Sequence, residues 1–579
     1  MAASADRIWL KHYPPGVPPT IEIPDRSLIE LVQDSAAHYA DRLAFIYYGA
    51  KWTYRRFWEA SGHLAQSLRN EGLQRGDRVA LYLPNCPVYP IAYFAALRAG
   101  MTVVQVSPLY LGQDLQRLLE DAQPKAIFSL NVHSHNLEKL SWSFPAPLLY
   151  VAGIAELYPF PTRLFVNNHI HRHQHLDTRF PEGPRVRRWK TALATPGAPA
   201  PIQVNSATEV AVLQYTGGTT GVPKAAMLTH RNLVANALQC QAWFNVAAQE
   251  REVVLASIPY FHVYGMTVAM TYPLIVGATI VLETRPDVPE ILKLINRYHP
   301  TQFPGVPALY NGINHNPDRA KYDLRSIRVC LSGSAPLPLE VAKQFEANTG
   351  GSLVEGYGLS ETSPVTHANP IKGERRAGSV GLPLPDTDQR IVDVETGTKV
   401  LAPMESGELC LRGPQVMLGY YHQPAETDAV LKDGWFKTGD IAYLDADGYC
   451  FIVDRKKDMI NVGGLKVYPR DVEEVLFQHP GVADVAVVGA PDPELGEVVY
   501  AFVVRKPGAT VTAEELVQFV RARVAHYKAP RVVEFRDALP RSGVQKVLRR
   551  QLRAEIVARG AAPAGARGST AAAATGPGR

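Results

Sequence analysis

Short apolar runs alternate along the chain with stretches in which apolar residues recur every three or four positions. RVALYLPN (78–85) predicts a strand, and PVYPIAYFAALRAG after it predicts a helix. TVVQVSP, the stretch Leu111–Ala122 and KAIFSL predict strand, helix and strand again. This rhythm predicts a mostly parallel sheet covered by helices. A second round begins near Val210 and runs to about Pro370. From Arg390 to Val453 the pattern becomes many short strand-like runs with Asp-Gly and Gly-Glu turns (ETGT, ESGELCLRG, DADGYCFIV), which predicts a β-rich subdomain. Beyond the charged run DRKKD at Asp454 the order is helix (Pro469–Gln478), strand (ADVAVVGA), strand (VVYAFVVRK), helix (Ala513–Val524) and strand (RVVEFRD). That predicts a small α+β domain of about 100 residues. GAAPAGARGSTAAAATGPGR is low-complexity and predicts a disordered tail. The expected fold class is α/β. Residues 1–454 form a large N-terminal domain of two βαβ-type subdomains plus the β-rich one. Residues 455–558 form a small mobile α+β C-terminal domain, and 559–579 the tail.

Composition adds exclusions. With 579 residues, 46% hydrophobic and 20% charged, the chain has ordinary globular usage, which excludes a mainly disordered chain, a collagen-like fibre and a small disulfide scaffold. The net charge is +5, but the segment from Arg541 onward carries a local +7, so the remainder has no basic footprint for nucleic acid. Cys86, Cys240, Cys330, Cys410 and Cys450 lie far apart without a CxxC pair. This argues against a disulfide framework or a Cys-based zinc site and fits a reducing cytosol. The N-terminus shows no apolar core of a secretory signal. Gly265–Leu282 reaches membrane-spanning length, but Tyr272-Pro273 and Gly277 interrupt it, so a buried helix followed by a buried strand is expected. His169, His171, His173 and His175 alternate; on a strand they would share a face able to bind Zn²⁺ or Ni²⁺. No carboxylate or Cys cluster adjoins them, and a solvated insertion loop is the expected reading.

The strongest chemical signal is YTGGTTGVPK, Tyr215–Lys224, straight after strand-like VAVLQY. Backbone N–H groups of such a glycine-rich loop can converge on phosphate oxygens; Thr219 and Thr220 add hydroxyl donors and Lys224 adds charge. A Walker A loop would need Gly where Pro223 stands.

With this loop, the motifs GYGLSETSP (356–364), KTGD (437–440), DRKKDMINVGGLKVYPRDVEEVL (454–476) and LPRSGVQKVLRRQLR (539–553) complete an ordered set. In order and spacing the set resembles the adenylate-forming enzymes: acyl-CoA synthetases, firefly luciferase and peptide-synthetase adenylation domains. The likeness extends from about Ile8 to Arg553. WLKHYPPGVPPTI, EGYGLSETSPVTHANP, GSVGLPLPDT and RGPQVMLGYYHQPAET make the chain most similar to bacterial long-chain fatty acid–CoA ligases.

The resemblance implies a two-step reaction with ATP and CoA as co-substrates and Mg²⁺ as cofactor. A fatty acid carboxylate attacks the ATP α-phosphate, releasing pyrophosphate, and the CoA thiol then displaces AMP. It implies an ATP site formed by Thr216, Gly217, Gly218, Thr219, Thr220, Gly221, Lys224, Gly333, Ser334, Ala335, Gly356, Tyr357, Gly358, Ser360, Asp440 and Arg455. Tyr357 would stack on adenine beside the Gly333-Ser334-Ala335-Pro336 loop, and Asp440 and Arg455 would reach the ribose. Thr219 and Glu361 match metal-site positions. Lys546 matches the lysine bridging the acyl carboxylate and α-phosphate, and His262 a position near that carboxylate. Together with Glu361 these are the catalytic candidates. His262, Tyr264, Gly265 and Met266 would border the acyl tunnel. Lys457 occupies the hinge position about which the small domain rotates, and Gly463 and Gly464 would approach the pantetheine arm. Arg470, Lys528 and Arg531 are candidates for the CoA phosphates.

Two positions depart from the pattern: Ala225 and Gln545 stand where the family usually has Gly. If the lysine loop needs φ > 0 at 545, Gln costs roughly 1–2 kcal/mol there, which predicts slower adenylation with CoA transfer less affected. An aryl, medium-chain or amino acid substrate, or a binder of nucleotide or acyl-AMP without turnover, are the alternatives. Membrane contact at the periphery and a homodimer stay open, and the expected location is the cytoplasm.

Overall fold

A computed structural model describes residues 7–174, 176–216, 223–244, 251–541 and 547–559. Two compact units divide the chain. The first comprises residues up to Thr438 and Ala442–Ile452, and the second Gly439–Ile441, Val453–Ser542 and the residues from Val547 onward.

In the first unit an eight-stranded sheet has the spatial order Gly419–Tyr420, Lys224–Thr229, Val210–Thr216, Thr102–Val106, Arg78–Tyr82, Ala126–Leu130, Leu148–Ala152, Val186–Arg188. The pairings from Val210–Thr216 through Val186–Arg188 are parallel, and the two beyond it are antiparallel. Strand alternation decides the layers. Val79 and Leu81 enter one core with the helices Tyr54–Asn70 and Val88–Arg98, whereas Ala80 and Tyr82 enter another with Leu115, Leu118 and Leu119 of the helix Gly112–Ala122. Both faces are covered, so the strands read as continuous apolar runs. A second sheet orders Val253–Ala256, Thr279–Leu282, Leu43–Tyr47 and Ala50–Thr53. A third orders Val329–Ser332, Ser352–Gly358, Val365–Ala368 and Leu382–Pro383. Gln302 bridges Val254 to Val329, joining these two. Short strands from Asp388 onward form the β-rich part.

The stretch Gly265–Leu282 is helical to Ile275, turns at Gly277 and becomes the strand Thr279–Leu282. Among the described residues no helix is long and apolar enough to cross a membrane. The five cysteines are buried, and none of them forms a disulfide. One expectation is corrected. The histidine run is not a loop or strand, because Arg163–Gln174 is a helix. Alternate positions on a helix step by roughly 200° about its axis, so a shared strand face does not exist. His175 lies outside the described residues.

The second unit pairs the long hairpin Val482–Asp492/Gly496–Arg505 with Val532–Arg536 and the small hairpin Ile460–Val462/Leu465–Val467. The helices Pro469–Phe477 and Ala513–Arg521 cover one face through Val472, Leu476, Leu516 and Val520. Arg549–Ala558 packs on the other through Leu552 and Ile556.

Candidate active site

The strands Val210–Thr216 and Lys224–Thr229 are antiparallel neighbours, with Thr216 opposite Lys224. The glycine-rich loop therefore leaves and re-enters the sheet at adjacent points. Gly217, Gly218, Thr219, Thr220 and Gly221 lie outside the described residues. The short strand Gly419–Tyr420 lies along the outer edge of Lys224–Thr229, and the Tyr421 N–H donates to the Ala225 carbonyl at 2.8 Å. Ala225 is buried in the core beside Leu213 and Tyr215, so its extra methyl fills packing space.

This edge strand collects charge around Lys224. Its ammonium lies 2.7 Å from Glu426 and 5.6 Å from the centroid of the Tyr420 ring. The Tyr420 hydroxyl donates to Glu361 Oε1 at 2.8 Å. Burial, and the carboxylates of Glu361 and Glu426, push that hydroxyl well above the usual phenol range, so it stays a donor. Among the described residues this is the one hydrogen bond to the half-buried Glu361 carboxylate. A single carboxylate with spare lone pairs fits Mg²⁺, which takes one or two carboxylates and fills its octahedron with phosphate and water oxygens.

Gly356, Tyr357 and Gly358 end the strand Ser352–Gly358; a 3₁₀ turn, Ser360–Thr362, follows with Ser360 and Glu361 at its start. A Cβ at Gly358 would lie 2.1 Å from the Pro364 carbonyl oxygen, so the chain returns only because the side chain is missing. Tyr357 stands opposite His367, with ring centroids 5.9 Å apart. His367 is buried between Thr366 Oγ1 and Gln389 Oε1, both at 2.9 Å. The Gln389 amide donates to the Gly448 carbonyl, which orients Oε1 as acceptor and places the imidazole proton on Nε2. Burial pushes the His367 pKa down to about 4.

Gly333, Ser334 and Ala335 follow the strand Val329–Ser332, with Ser334 at φ 71°. Gly333 lies against the Tyr264 ring, and the Tyr264 hydroxyl donates to the Gly305 and Leu331 carbonyls. The helix Val263–Met266 is thereby tied to the Gly333 loop. His262 caps that helix: Nδ1 accepts the Tyr264 N–H at 3.3 Å, leaving the ring proton on Nε2. Tyr264, Gly265 and Met266 are buried, and Met266 Sδ meets the Gln105 amide and the Tyr93 hydroxyl.

Sequence reasoning missed the residues that hold these groups. Buried Asn85 donates to the Ala256 and Ile258 carbonyls and accepts the Tyr260 N–H, fixing the segment that presents His262. Gln214 donates to the Phe261 carbonyl at 3.3 Å. Tyr420 and Glu426 complete the group. Asn85 ends the run RVALYLPN, Gln214 lies in VAVLQY, and Tyr420 and Glu426 lie in RGPQVMLGYYHQPAET, but nothing in those stretches says which distant group each one holds.

In the second unit, buried Asp440 lies 3.4 Å from Arg455, which is exposed. Lys457 sits in the exposed turn between the strands Cys450–Arg455 and Ile460–Val462. Gly463 and Gly464 are the two-residue turn of the small hairpin, with φ 58° and 89°, the left-handed pair a tight hairpin needs. Arg470, Lys528 and Arg531 are each paired, to Glu474, Asp471 and Asp492. Buried Asp454 accepts the Arg455 and Arg470 N–H groups at 2.7 and 2.8 Å, and burial raises its pKa to about 6. Arg549 faces Glu473 at 2.7 Å, Asp458 at 3.5 Å and Asp454 at 3.6 Å. Gln545 and Lys546 lie outside the described residues.

Residues 32–421 match the AMP-binding enzyme family, and 471–546 match the AMP-binding enzyme C-terminal domain. The chain is 44% identical to the long-chain-fatty-acid–CoA ligase of Bacillus subtilis (strain 168) over 551 residues, 94% of this chain and 97% of that protein. It is 42% identical to the enzyme of that name from Yersinia pestis over 559 residues, 95% of this chain and 98% of that one. Among solved structures, ATP-bound MatB from Rhodopseudomonas palustris superposes with a TM-score of 0.77 at 29% identity, covering 91% of this chain and 98% of that one. The chain belongs to the AMP-binding, adenylate-forming enzyme family.

Proposed function

We propose that the protein is an ATP-dependent long-chain fatty acid–CoA ligase, forming acyl-AMP and pyrophosphate and then acyl-CoA and AMP. The observation that carries this reading is the near full-length likeness to curated ligases of that name.

The first half-reaction must bring two anions together, so its catalysis is charge neutralisation and in-line positioning. In our reading the backbone of Gly217–Gly221, the Thr216, Thr219 and Thr220 hydroxyls and Lys224 receive the phosphates. Glu361 and Thr219 would hold Mg²⁺, which when bound would supply charge to the phosphate oxygens. Tyr357 and the Gly333–Ala335 loop take adenine beside Gly356, Gly358 and Ser360. Asp440, already oriented by Arg455, accepts the ribose hydroxyls. His262 offers Nε2–H to the acyl carboxylate, whose oxygen attacks Pα as the bond to the β-phosphate oxygen breaks. Lys546 steadies the charge on that centre. The acyl chain runs past Tyr264, Gly265 and Met266. The small domain then turns about Lys457 and brings Gly463 and Gly464 to the pantetheine arm; the CoA sulfur attacks the acyl carbonyl and AMP leaves.

Membrane contact at the periphery is part of the proposal. Phe160, Leu164 and Phe165 are each more than 60% exposed and lie in sequence around Arg163, which with Lys51 and Arg56 lines one surface cleft. Apolar side chains interleaved with cations suit an anionic lipid surface.

The test is ATP-dependent pyrophosphate release with long-chain, medium-chain, aryl and amino acids, with and without CoA, products read by mass spectrometry. A long-chain acyl-CoA is expected. An aryl or medium-chain product alone would move the substrate, and no product from any acid would overturn the reading.

A further inference from the structure

Lys224 already has an anionic partner, and that partner comes from a distant part of the chain. Glu426 sits in the first turn of the helix Pro424–Val430, with Oε2 2.7 Å from Lys224 Nζ. The lysine side chain is 20% exposed and the glutamate 49%, so the pair stands at the rim, open to exchange. Its segment is fixed to the outgoing strand of the glycine-rich loop at several points. Tyr420 pairs opposite Ala226, the Tyr421 N–H donates to the Ala225 carbonyl, and the Gln423 amide donates to the Pro223 carbonyl at 2.9 Å. The Thr427 hydroxyl accepts the Tyr420 N–H and donates to the Gln423 carbonyl, closing the turn. The backbone that carries Glu426 is thus fixed beside the strand of Lys224.

We propose that Glu426 is a built-in counter-anion of the phosphate loop: it competes with the polyphosphate for Lys224 and sets the affinity for ATP and for the departing pyrophosphate. The inference rests on the reading of Lys224 as a phosphate contact. An ammonium has three N–H donors, and the carboxylate at 2.7 Å takes one of them and offsets part of the charge. A phosphate oxygen must displace Glu426 or share the lysine against a like charge. The cost is that of opening a half-exposed ion pair, roughly a two- to fivefold loss of affinity. For a reaction that releases pyrophosphate, a competing anion also speeds product departure.

Calorimetric binding of ATP and of inorganic pyrophosphate to the full chain tests this, for the parent, Glu426→Gln, Lys224→Ala and the double variant. Glu426→Gln is expected to bind both ligands roughly two- to fivefold more tightly at low salt, with the gain shrinking at high salt. In the Lys224→Ala background the same change is expected to have no effect. Glu426→Ala serves as a second variant if the Gln amide finds new bonds. Unchanged or weaker binding in both Glu426 variants, or an equal gain without the lysine, overturns the inference. If Lys224→Ala weakens binding while Glu426→Gln changes nothing, the counter-anion alone is wrong. If Lys224→Ala leaves both affinities untouched, the role read for Lys224 fails first and takes the inference with it.

Discussion

Glu283 closes the strand Thr279–Leu282 and is 2% exposed. Its Oε1 lies 3.4 Å from the Arg285 N–H and 3.5 Å from the Tyr48 hydroxyl, and buried Oε2 has no hydrogen-bond partner. Burial, reinforced by Glu290 and Asp287, raises its pKa to about 8. Below the unfolded value near 4.5, folded and unfolded chains are both protonated here and nothing is lost. Between about 4.5 and 8 the unfolded chain ionises while the folded one keeps its proton, so stability falls as pH rises, by about 1.4 kcal/mol per unit. Above about 8 the loss is complete, at roughly 3–5 kcal/mol. Glu283→Gln keeps the shape and removes the titration. Relative to the parent, the variant is expected to gain roughly 3–4 kcal/mol between pH 5 and pH 8, a shift of several degrees in the melting temperature of this unit. Melting curves of both proteins from pH 5 to 9 measure it by difference, which cancels every other titrating group. Parallel curves across that range would refute the reasoning, because they would mean that Glu283 ionises in the folded protein near its ordinary pKa.

Other consequences are as direct. Tyr420→Phe removes the hydrogen bond to Glu361 and is expected to lower kcat/KM for ATP roughly tenfold, with a raised Mg²⁺ requirement in the same assay. Gly358→Ala drives a methyl into the Pro364 carbonyl and is expected to cost more than about 2 kcal/mol, seen as a lowered midpoint in urea. Arg549→Met leaves Glu473, Asp458 and Asp454 facing one another and is expected to destabilise the second unit by roughly 3–5 kcal/mol, read by limited proteolysis between residues 453 and 559. Replacing Phe160 and Phe165 by Ser is expected to weaken sedimentation with anionic vesicles while leaving turnover of a soluble short-chain acid unchanged.

The layers of the fold were legible because burial leaves a local trace. The runs 78–85, 102–108 and 125–130 are apolar on both strand faces, and both faces are covered. The GYGLSETSP and DRKKD motifs were legible for a different reason: each is a contiguous run of a dozen residues or fewer. The groups that hold motif residues were not. Tyr420 reaches Glu361 across 59 residues, Lys224 meets Glu426 across 202, and Asn85 fixes the segment before His262 from more than 170 residues away. A hydrogen bond between distant residues imposes no period and no spacing on the sequence, so a one-dimensional reading returns the motif residues and omits the groups that hold them. The histidine run errs in the opposite direction. A solvated loop was expected, with a strand face as the alternative, but the segment is helical, and local pattern had no information about which backbone the surrounding chain imposes. The ion pair at Lys224 joins the two cases. The lysine lies in its motif, but the carboxylate paired with it lies in QPAET, where the same letters would read as an ordinary helix start. On the proposal made for that pair, Glu426→Gln alters affinity while every residue of YTGGTTGVPK stays as it is.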